Sequence, residues 1–272
     1  MSRAPWVAHF GFTKTPFSKS IPAKDLFTRD AHAEAVARIH FCVAESALGV
    51  LVGDVGAGKT VAVRAATASL DPASHHLVYV PNPAFGTRGL YVTIVRALGA
   101  APRFHKAEVM AQASELLAAE EAERHRRVVL VIDEAHLLTP EQLEELRLLT
   151  NAELDSKSPF AGLLVGQPTL ARSLRMGVFA ALDQRIATRY ALKPMDLAES
   201  ASYLRHHLAL VGFSELGAPL GRRVALGCHG RCPAAWQIAC ATRPVLVASS
   251  PVIASRRSTS MPSARLPAIR SS

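Results

Sequence analysis

The residues whose types and spacing most clearly indicate a chemical function are Gly53–Thr60, which read Gly-Asp-Val-Gly-Ala-Gly-Lys-Thr. This stretch matches the P-loop pattern, in which a glycine and four variable residues precede Gly-Lys and a hydroxyl side chain. Glycines let the backbone curl so that successive N–H groups point at phosphate oxygens. We predict contacts to ATP from all eight residues: Gly53, Asp54, Val55, Gly56, Ala57, Gly58, Lys59 and Thr60. The alternative is a glycine-rich turn without a ligand.

Two side chains in this stretch have specific predicted roles. Lys59 is expected to reach the β and γ phosphates, and the Thr60 hydroxyl to ligate Mg²⁺. ATP and Mg²⁺ are therefore the predicted ligands.

A pair of carboxylates, Asp133 and Glu134, follows the apolar run Val128–Ile132. A strand ending there places both at the carboxyl edge of a parallel sheet, where open α/β folds bind ligands. We expect Asp133 to hold Mg²⁺ through water, and Glu134 to orient and deprotonate the attacking water. The alternative is that both residues only cap the next helix.

Three further side chains are weaker candidates. Gln167 follows the apolar run Phe160–Val165 and is predicted to contact the γ-phosphate or the water, with a turn amide as the alternative. Arg185 and Arg189 are four residues apart, which predicts one helical face. A guanidinium from a neighbouring subunit can neutralise charge on the transferred phosphoryl group, while a surface salt bridge is the alternative role.

His136 completes an Asp-Glu-Ala-His stretch that also occurs in helicases. Helicases close ATP between two RecA-like domains, and 272 residues leave no room for a second one. We therefore interpret His136 as a structural residue at a helix start, with a coupling role as the alternative.

The elements that would position these residues alternate along the chain, which predicts a parallel sheet covered by helices on both faces. Apolar runs predict strands at Gly49–Gly53, His76–Val80, Val128–Ile132 and Phe160–Val165, with a short fifth at Arg189–Leu192. Helical spacing predicts helices at Asp30–Ala47, Gly58–Leu70, Gly89–Leu98, Ala107–Arg124, Pro140–Asn151 and Leu197–Val211. The predicted fold class is α/β.

The net charge of +9 is a property of the last part of the chain. Beyond Glu215 there are eight arginines and no Asp, Glu or Lys, so the preceding residues are nearly neutral. Residues 241–272 are rich in Ser, Pro and Arg, which predicts a disordered basic tail. Cys228, His229, Cys232 and Cys240 lack the paired spacing of a zinc site, so we expect unpaired thiols.

The chain shows no apolar run of 18 residues, and residues 1–12 lack the pattern of a signal peptide. We expect a cytoplasmic protein that does not span a membrane.

Several short motifs together resemble the ExeA-like AAA+ ATPases, a family that includes secretion-pathway A proteins and ATP-binding helpers of DDE transposases. The resemblance covers about residues 8–212. The motifs are His9–Phe17, Gly53–Thr60, Val131–His136, Leu143–Arg147, Leu164–Pro168 and Gln184-Arg185.

The resemblance implies a P-loop NTPase fold of the AAA+ type, with an aromatic N-terminal segment of Phe10, Phe12, Pro16 and Phe17 packed near the base and the first helix. It also implies a helical lid with a Gly-x-Pro-Arg segment. Residues 230–234 read Gly-Arg-Cys-Pro-Ala, which contains Gly, Arg and Pro in a different order and does not match this pattern. We therefore expect an N-terminal segment at 1–29, an ATPase core at 30–195, a degenerate lid at 196–240 and the tail. One hypothesis is that the chain from about Ser214 is read in a shifted frame.

The sequence and the resemblance favour a DNA-transposition helper, an ATPase that oligomerises on DNA and regulates a partner transposase. Possible phosphate contacts are the loop Arg103–Lys106 and the region of Arg172 and Arg175, with solvated surface as the alternative. The competing functions are a secretion or cell-envelope ATPase that acts on proteins, and an ATP-binding scaffold with impaired hydrolysis.

Overall fold

A parallel sheet of five strands forms the centre of the protein. The structure is a computed structural model, and it describes residues 12–18, 21–150 and 158–212. The strands are β1 (Leu48–Gly53), β2 (His75–Val80), β3 (Arg127–Ile132), β4 (Phe160–Gly166) and β5 (Ile186–Leu192). Their order across the sheet is β2-β3-β4-β1-β5, and every neighbouring pair is parallel. All five strands therefore end at the same edge.

Helices cover both faces of this sheet. They are α1 (Asp30–Ala44), α2 (Lys59–Ala68), α3 (Gly86–Ala97), α4 (Lys106–Ala122), α5 (Pro140–Leu149), α6 (Pro168–Leu174), α7 (Ala180–Gln184) and α8 (Leu197–Ala209). Short 3₁₀ turns lie at Ala23–Asp25, Ala135–Leu137 and Gly177–Phe179. The predicted α/β class with a parallel sheet flanked by helices is confirmed.

Two apolar clusters hold the layers together, and they divide the strand residues by alternation. Helices α1 and α2 pack on the face that includes Leu51 and Val131, whereas α3 to α7 pack on the face that includes Val50, Val52 and Leu130. Because successive side chains of a strand point to opposite faces, a strand that is apolar throughout needs cover on both. β1, which carries the glycine-rich loop, is buried along its whole length.

The fifth strand is longer than the sequence predicted, running over Ile186–Leu192 instead of Arg189–Leu192. β5 lies at the edge of the sheet, and Ala187, Arg189 and Ala191 are exposed. An exposed edge strand does not need a continuous apolar run, so its amino end gave no signal. Within the described residues the last helix, α8, ends at Ala209, and Gly212 follows it with a φ of 85°.

Phe17, in the described part of the aromatic N-terminal segment, packs on α8. The Phe17 ring lies 6.0 Å from the Tyr203 ring and 5.3 Å from the His207 ring, between centroids. Both partners belong to α8, whereas the resemblance had implied contact with the first helix. Phe10, the residues beyond 212 and the predicted lid segment, cysteine cluster and tail lie outside the described residues.

The buried His207 predicts a stability that depends on pH. Burial, with the charge of neighbouring His206, lowers the pKa of His207 to about 4. An unfolded histidine titrates near 6.5, so between about pH 6.5 and pH 4 the unfolded state binds more protons. The free energy of unfolding should therefore fall as the pH is lowered through this window.

Replacing His207 with glutamine should reduce this pH slope by up to about 1.4 kcal/mol per pH unit. Urea denaturation at pH 7 and pH 5 measures it, with His105→Gln on the exposed residue before α4 as the control. An unchanged slope in His207→Gln would show that the histidine is not buried in its neutral form.

Candidate active site

The glycine-rich loop connects the end of β1 to the start of α2. Gly56 and Gly58 have φ angles of 83° and 96°, which favour glycine over residues with a side chain. A Cβ at Gly53 would lie 2.7 Å from the carbonyl oxygen of Leu192, so the loop also passes close to the end of β5. The loop thus leads directly into the amino terminus of a ten-residue helix, which is favourable for anions.

Lys59 lies folded over this loop. Its ammonium group donates to the carbonyl oxygens of Gly53 at 2.8 Å and Asp54 at 3.1 Å. Neither acceptor is charged, so phosphate oxygens would be stronger partners for the same ammonium group.

Thr60 and Asp133 come together at the carboxyl edge of the sheet. The Thr60 hydroxyl lies 3.5 Å from Oδ2 of Asp133, although the two residues are 73 positions apart. Asp133 is 9% exposed, and its Oδ1 accepts the N–H of Glu134 at 2.9 Å. A hydroxyl and a carboxylate are hard oxygen donors of the kind that Mg²⁺ prefers, so these residues fit the ion.

Tyr79 also contacts Asp133, and sequence analysis missed it. Its hydroxyl donates to Oδ2 of Asp133 at 2.9 Å. Burial of the hydroxyl and the hydrogen bond to the Asp133 carboxylate raise the pKa of Tyr79 to about 12. The phenol therefore keeps its proton at neutral pH and fixes the orientation of the carboxylate.

For the ATP hydrolysis that the sequence predicts, replacing Tyr79 with phenylalanine should raise the Mg²⁺ concentration needed for half-maximal activity by about tenfold, because outer partners orient metal-binding carboxylates. A Mg²⁺ titration of phosphate release measures this effect. Tyr190→Phe, on the opposite edge strand β5, is the control. An unchanged Mg²⁺ requirement in Tyr79→Phe would contradict the assigned orienting role.

Glu134 has an uncommon backbone conformation. Its φ is 52° and its ψ is 34°, in the left-handed region, and its side chain is about half exposed. Non-glycine residues in this region cost free energy and concentrate at functional sites. This conformation turns the chain away from the direction of β3, and the partly exposed carboxylate follows the carboxyl end of that strand.

His136 lies beside this carboxylate. Its Nδ1 is 3.3 Å from Oε2 of Glu134, and the residue belongs to the 3₁₀ turn Ala135–Leu137. The structural role of His136 at a helix start stays a prediction, because the residue lies within the 3₁₀ turn and α5 begins only at Pro140. The contact with Glu134 gives the alternative coupling role a physical route. The end of β4 is also close to His136, since a Cβ at Gly166 would lie 3.1 Å from the backbone nitrogen of His136.

Comparison with known proteins identifies the domain that carries this geometry. Residues 44–174 match the family model of the AAA domain. The chain contains an AAA+ domain of the ExeA-like type. It is 36% identical over 208 residues to General secretion pathway protein A of Aeromonas hydrophila, covering 75% of this chain and 37% of that protein. The chain thus spans little more than a third of this relative.

Solved structures show the same fold. Cdc6p of Pyrobaculum aerophilum matches with a TM-score of 0.66 at 18% identity, over 85% of this chain and 65% of that one. The ORC2 protein of Aeropyrum pernix, in its ADPNP-ADP complexes, matches with a TM-score of 0.58 at 18% identity, over 90% and 72% of the two chains. The predicted P-loop NTPase fold of the AAA+ type is confirmed.

Gln167 lies at the carboxyl edge of the AAA+ sheet. It follows β4 directly and precedes α6, and β4 is the strand between β3 and β1. The residue is therefore placed between the strand that ends in Asp133 and the strand that ends in the P-loop. Its contact with the γ-phosphate or water stays a prediction.

The prediction that Arg185 and Arg189 share one helical face is wrong. Helix α7 ends at Gln184, Arg185 follows it as the capping residue, and Arg189 lies within β5. Pairing of this stretch with β1 gives it an extended backbone that local spacing does not reveal.

The two arginines also lie away from the P-loop of their own chain. Arg185 donates to the backbone and side-chain oxygens of Thr150, at the end of the sheet where β1 and β5 begin. Arg189 pairs with Asp183 at 2.7 Å. A role for either one toward phosphate therefore requires a neighbouring subunit.

The loop predicted to contact DNA connects α3 to α4. Arg88 organises it by donating to the carbonyl oxygens of Arg103 and Phe104, and the Phe104 side chain is 80% exposed. Lys106 instead pairs with Glu145 at 2.6 Å. Arg172 and Arg175 lie at the end of α6.

Other predicted features concern membranes and metal clusters. Over residues 12–18, 21–150 and 158–212, the structure contains no helix with the length and apolar character needed to cross a membrane. Within the same ranges, His, Cys, Asp and Glu side chains form no group of three that could hold a metal ion. Cys42, one of the four cysteines, is buried as a free thiol.

Proposed function

We propose that this AAA+ domain binds ATP with Mg²⁺ at Gly53–Thr60 and hydrolyses it. The observation that carries the proposal is the approach of the Thr60 hydroxyl to the Asp133 carboxylate at 3.5 Å, directly beside the glycine-rich loop. An isolated P-loop accounts for phosphate binding, whereas a carboxylate at this position accounts for a metal-assisted reaction.

The chain's own residues divide the work of such a reaction. The N–H groups of residues 53–60 bind phosphate oxygens, and Lys59 exchanges two carbonyl acceptors for the β and γ phosphates. Thr60 and Asp133, the latter held by Tyr79, are the residues that would hold the magnesium ion, Asp133 through water. The ion, when bound, neutralises negative charge that develops on the phosphates.

Glu134 is the proposed general base. Its exposed carboxylate orients a water molecule and accepts its proton as the water attacks the γ-phosphorus, while the bond to the β-phosphate oxygen breaks. His136, whose Nδ1 lies 3.3 Å from Oε2 of Glu134, is proposed to limit the rotation of this carboxylate. Gln167 is proposed to contact the same water or the γ-phosphate from the neighbouring strand.

Arg185 and Arg189 are proposed to act on the nucleotide of a second copy of the chain. Their distance from the P-loop edge of their own sheet supports this role, because a guanidinium supplied from a neighbour is a common source of transition-state charge. The proposal therefore includes a homo-oligomer as the active form.

The test is release of phosphate from ATP by the purified chain, with Mg²⁺ and with excess EDTA. We expect turnover that requires Mg²⁺, together with equilibrium binding of ADP. Binding without turnover at any protein concentration would reject hydrolysis and would favour an ATP-binding scaffold.

The partner on which the activity acts is a separate proposal. We propose a DNA-transposition helper on the basis of the sequence resemblance and of the loop around Phe104, where the Arg88 guanidinium lies over the exposed aromatic ring and donates to the Arg103 carbonyl oxygen. The competing function, a cell-envelope ATPase that acts on proteins, is favoured by the identity to General secretion pathway protein A.

Duplex DNA at low salt separates these two functions. A helper that assembles on DNA should hydrolyse ATP faster when DNA is added, and Arg103→Gln should reduce the stimulation. ATP hydrolysis that is indifferent to DNA, with recovery of envelope proteins in a pull-down, would support the secretion alternative.

A further inference from the structure

Arg29 is a buried arginine that touches three separate parts of the AAA+ domain. The residue is 8% exposed, and its guanidinium donates to the carbonyl oxygen of Ala57 at 3.1 Å. It also donates to the carbonyl oxygen of Lys193, which follows β5, and to Oε2 of Glu199 in α8 at 2.9 Å. One side chain thus joins the glycine-rich loop, the edge strand and the last helix.

The contact with Ala57 bears on the phosphate site. A trans peptide is planar, and its carbonyl oxygen and N–H point in opposite directions. Because Arg29 fixes the Ala57 carbonyl, it also fixes the direction of the Gly58 N–H on the other side of the same peptide. Gly58 is the residue before Lys59, in the part of the loop that is proposed to bind phosphate.

His32 holds the same peptide from a second side. A Cβ at Gly58 would lie 2.5 Å from Nε2 of His32, so the imidazole ring packs directly against the Gly58 backbone. Burial and the Arg29 charge lower the pKa of His32, which keeps the ring uncharged beside the guanidinium. The start of α1 therefore supports the loop with two buried side chains, Arg29 at the capping position and His32 in the first turn.

The contact with Glu199 connects this support to α8. Oε2 of Glu199 accepts the backbone N–H of Asp196 at 3.1 Å, and the Asp196 side chain accepts the N–H of Glu199 at 2.7 Å. This capping box begins α8, so the carboxylate that pairs with Arg29 also fixes the start of that helix. Glu199 is 32% exposed, whereas Arg29 is buried, so Arg29 depends on Glu199 for charge compensation.

We propose that Arg29 is a positioning residue that holds the Ala57–Gly58 peptide in its phosphate-binding orientation and links that orientation to the docking of α8. This inference rests on the proposed nucleotide site. Since the loop binds phosphates in both the ground state and the transition state, loss of the support should weaken nucleotide binding more than it slows the chemical step.

The test uses two variants and one control in the full chain. Arg29→Lys keeps the charge but cannot supply the guanidinium's separate donors to three acceptors. Glu199→Gln removes the charge and keeps the capping box, because glutamine can replace glutamate there. The control, Arg38→Gln, changes another arginine that joins α1 to β5, through the Arg189 carbonyl, but has no bond to the glycine-rich loop.

For Arg29→Lys we expect the KM for ATP and the Kd for ADP to rise by about tenfold, with kcat per binding-competent molecule nearly unchanged. Glu199→Gln should raise the Kd by about threefold, since its carboxylate is partly exposed. Arg38→Gln should leave both constants unchanged. Calorimetric ADP titration gives the Kd and the fraction of competent protein in each preparation.

A purely structural role for Arg29 would lower the unfolding temperature and the competent fraction while the Kd stays constant, and this result would overturn the proposal. An unchanged Kd in Glu199→Gln would overturn the link to α8. If the unaltered chain binds no ADP, the nucleotide site itself is refuted. That result is distinct from normal binding that Arg29→Lys leaves untouched.

Discussion

Replacing Glu134 with glutamine is expected to reduce ATP turnover by at least about 100-fold while leaving the affinity for ATP close to that of the unaltered chain. Glutamine has nearly the same size and can still hydrogen-bond to water, but it cannot accept the proton. The Glu134 carboxylate lies beyond the loop that is proposed to bind the phosphates, so nucleotide contacts should persist. Phosphate release and equilibrium ATP binding, measured on the same preparation, give the two quantities.

The matched control for this substitution is Glu45→Gln. Glu45 is an exposed carboxylate just before β1, at the opposite edge of the sheet from the P-loop. Its replacement removes the same charge without reaching the site. Turnover in Glu134→Gln within about twofold of the control would show that another group accepts the proton.

Replacing Lys59 with alanine is expected to have the second large effect, on binding as well as on turnover. The ammonium group is the one charged donor that the P-loop sequence itself supplies, and a charge-assisted hydrogen bond contributes about 1.5–3 kcal/mol. The Kd for ATP should therefore rise by roughly 10- to 100-fold, with a larger loss in kcat/KM. Calorimetric titration and initial rates measure the two effects.

Lys59 also donates to two carbonyl groups of its own loop, so the variant needs a stability control. Thermal unfolding without nucleotide tests whether the loop has been disturbed beyond the loss of the ammonium group. Lys24→Ala, at an exposed position in the first 3₁₀ turn, matches the change in charge. Normal affinity in Lys59→Ala would place the phosphates elsewhere.

The part of the site that follows from local sequence was predictable. The residue types of the glycine-rich loop indicate its backbone conformation. An apolar strand followed by Asp133 places a carboxylate at the carboxyl edge of a parallel sheet. The proximity of Thr60 and Asp133 then follows from topology. Thr60 follows β1 through the glycine-rich loop, Asp133 follows β3, and only β4 lies between these two strands.

The supporting residues were not predictable in the same way. Tyr79 lies near the end of a strand whose side chains alternate between buried and exposed, and nothing near it in sequence indicates a carboxylate partner. Arg29 reaches Ala57 and Glu199 across 28 and 170 positions, through contacts that exist only after the layers have packed. The left-handed conformation of Glu134 likewise arises where the chain turns between β3 and the next helix.

Arg185 and Arg189 show why local spacing misled. They are four positions apart, as on one face of a helix, but the chain from Ile186 to Leu192 forms a strand that pairs with β1 instead. Strand pairing depends on residues more than 130 positions earlier in the chain. A short helix beside an edge strand therefore gives an ambiguous pattern that only the assembled sheet resolves.

A crystal structure of the Glu134→Gln variant with MgATP tests the central claim most directly, because slow turnover keeps the substrate intact. We expect the triphosphate to lie against the N–H groups of residues 53–60, and the metal to be ligated by Thr60 and to lie near Asp133. Nucleotide bound at another place, or a metal remote from both side chains, would contradict the claim.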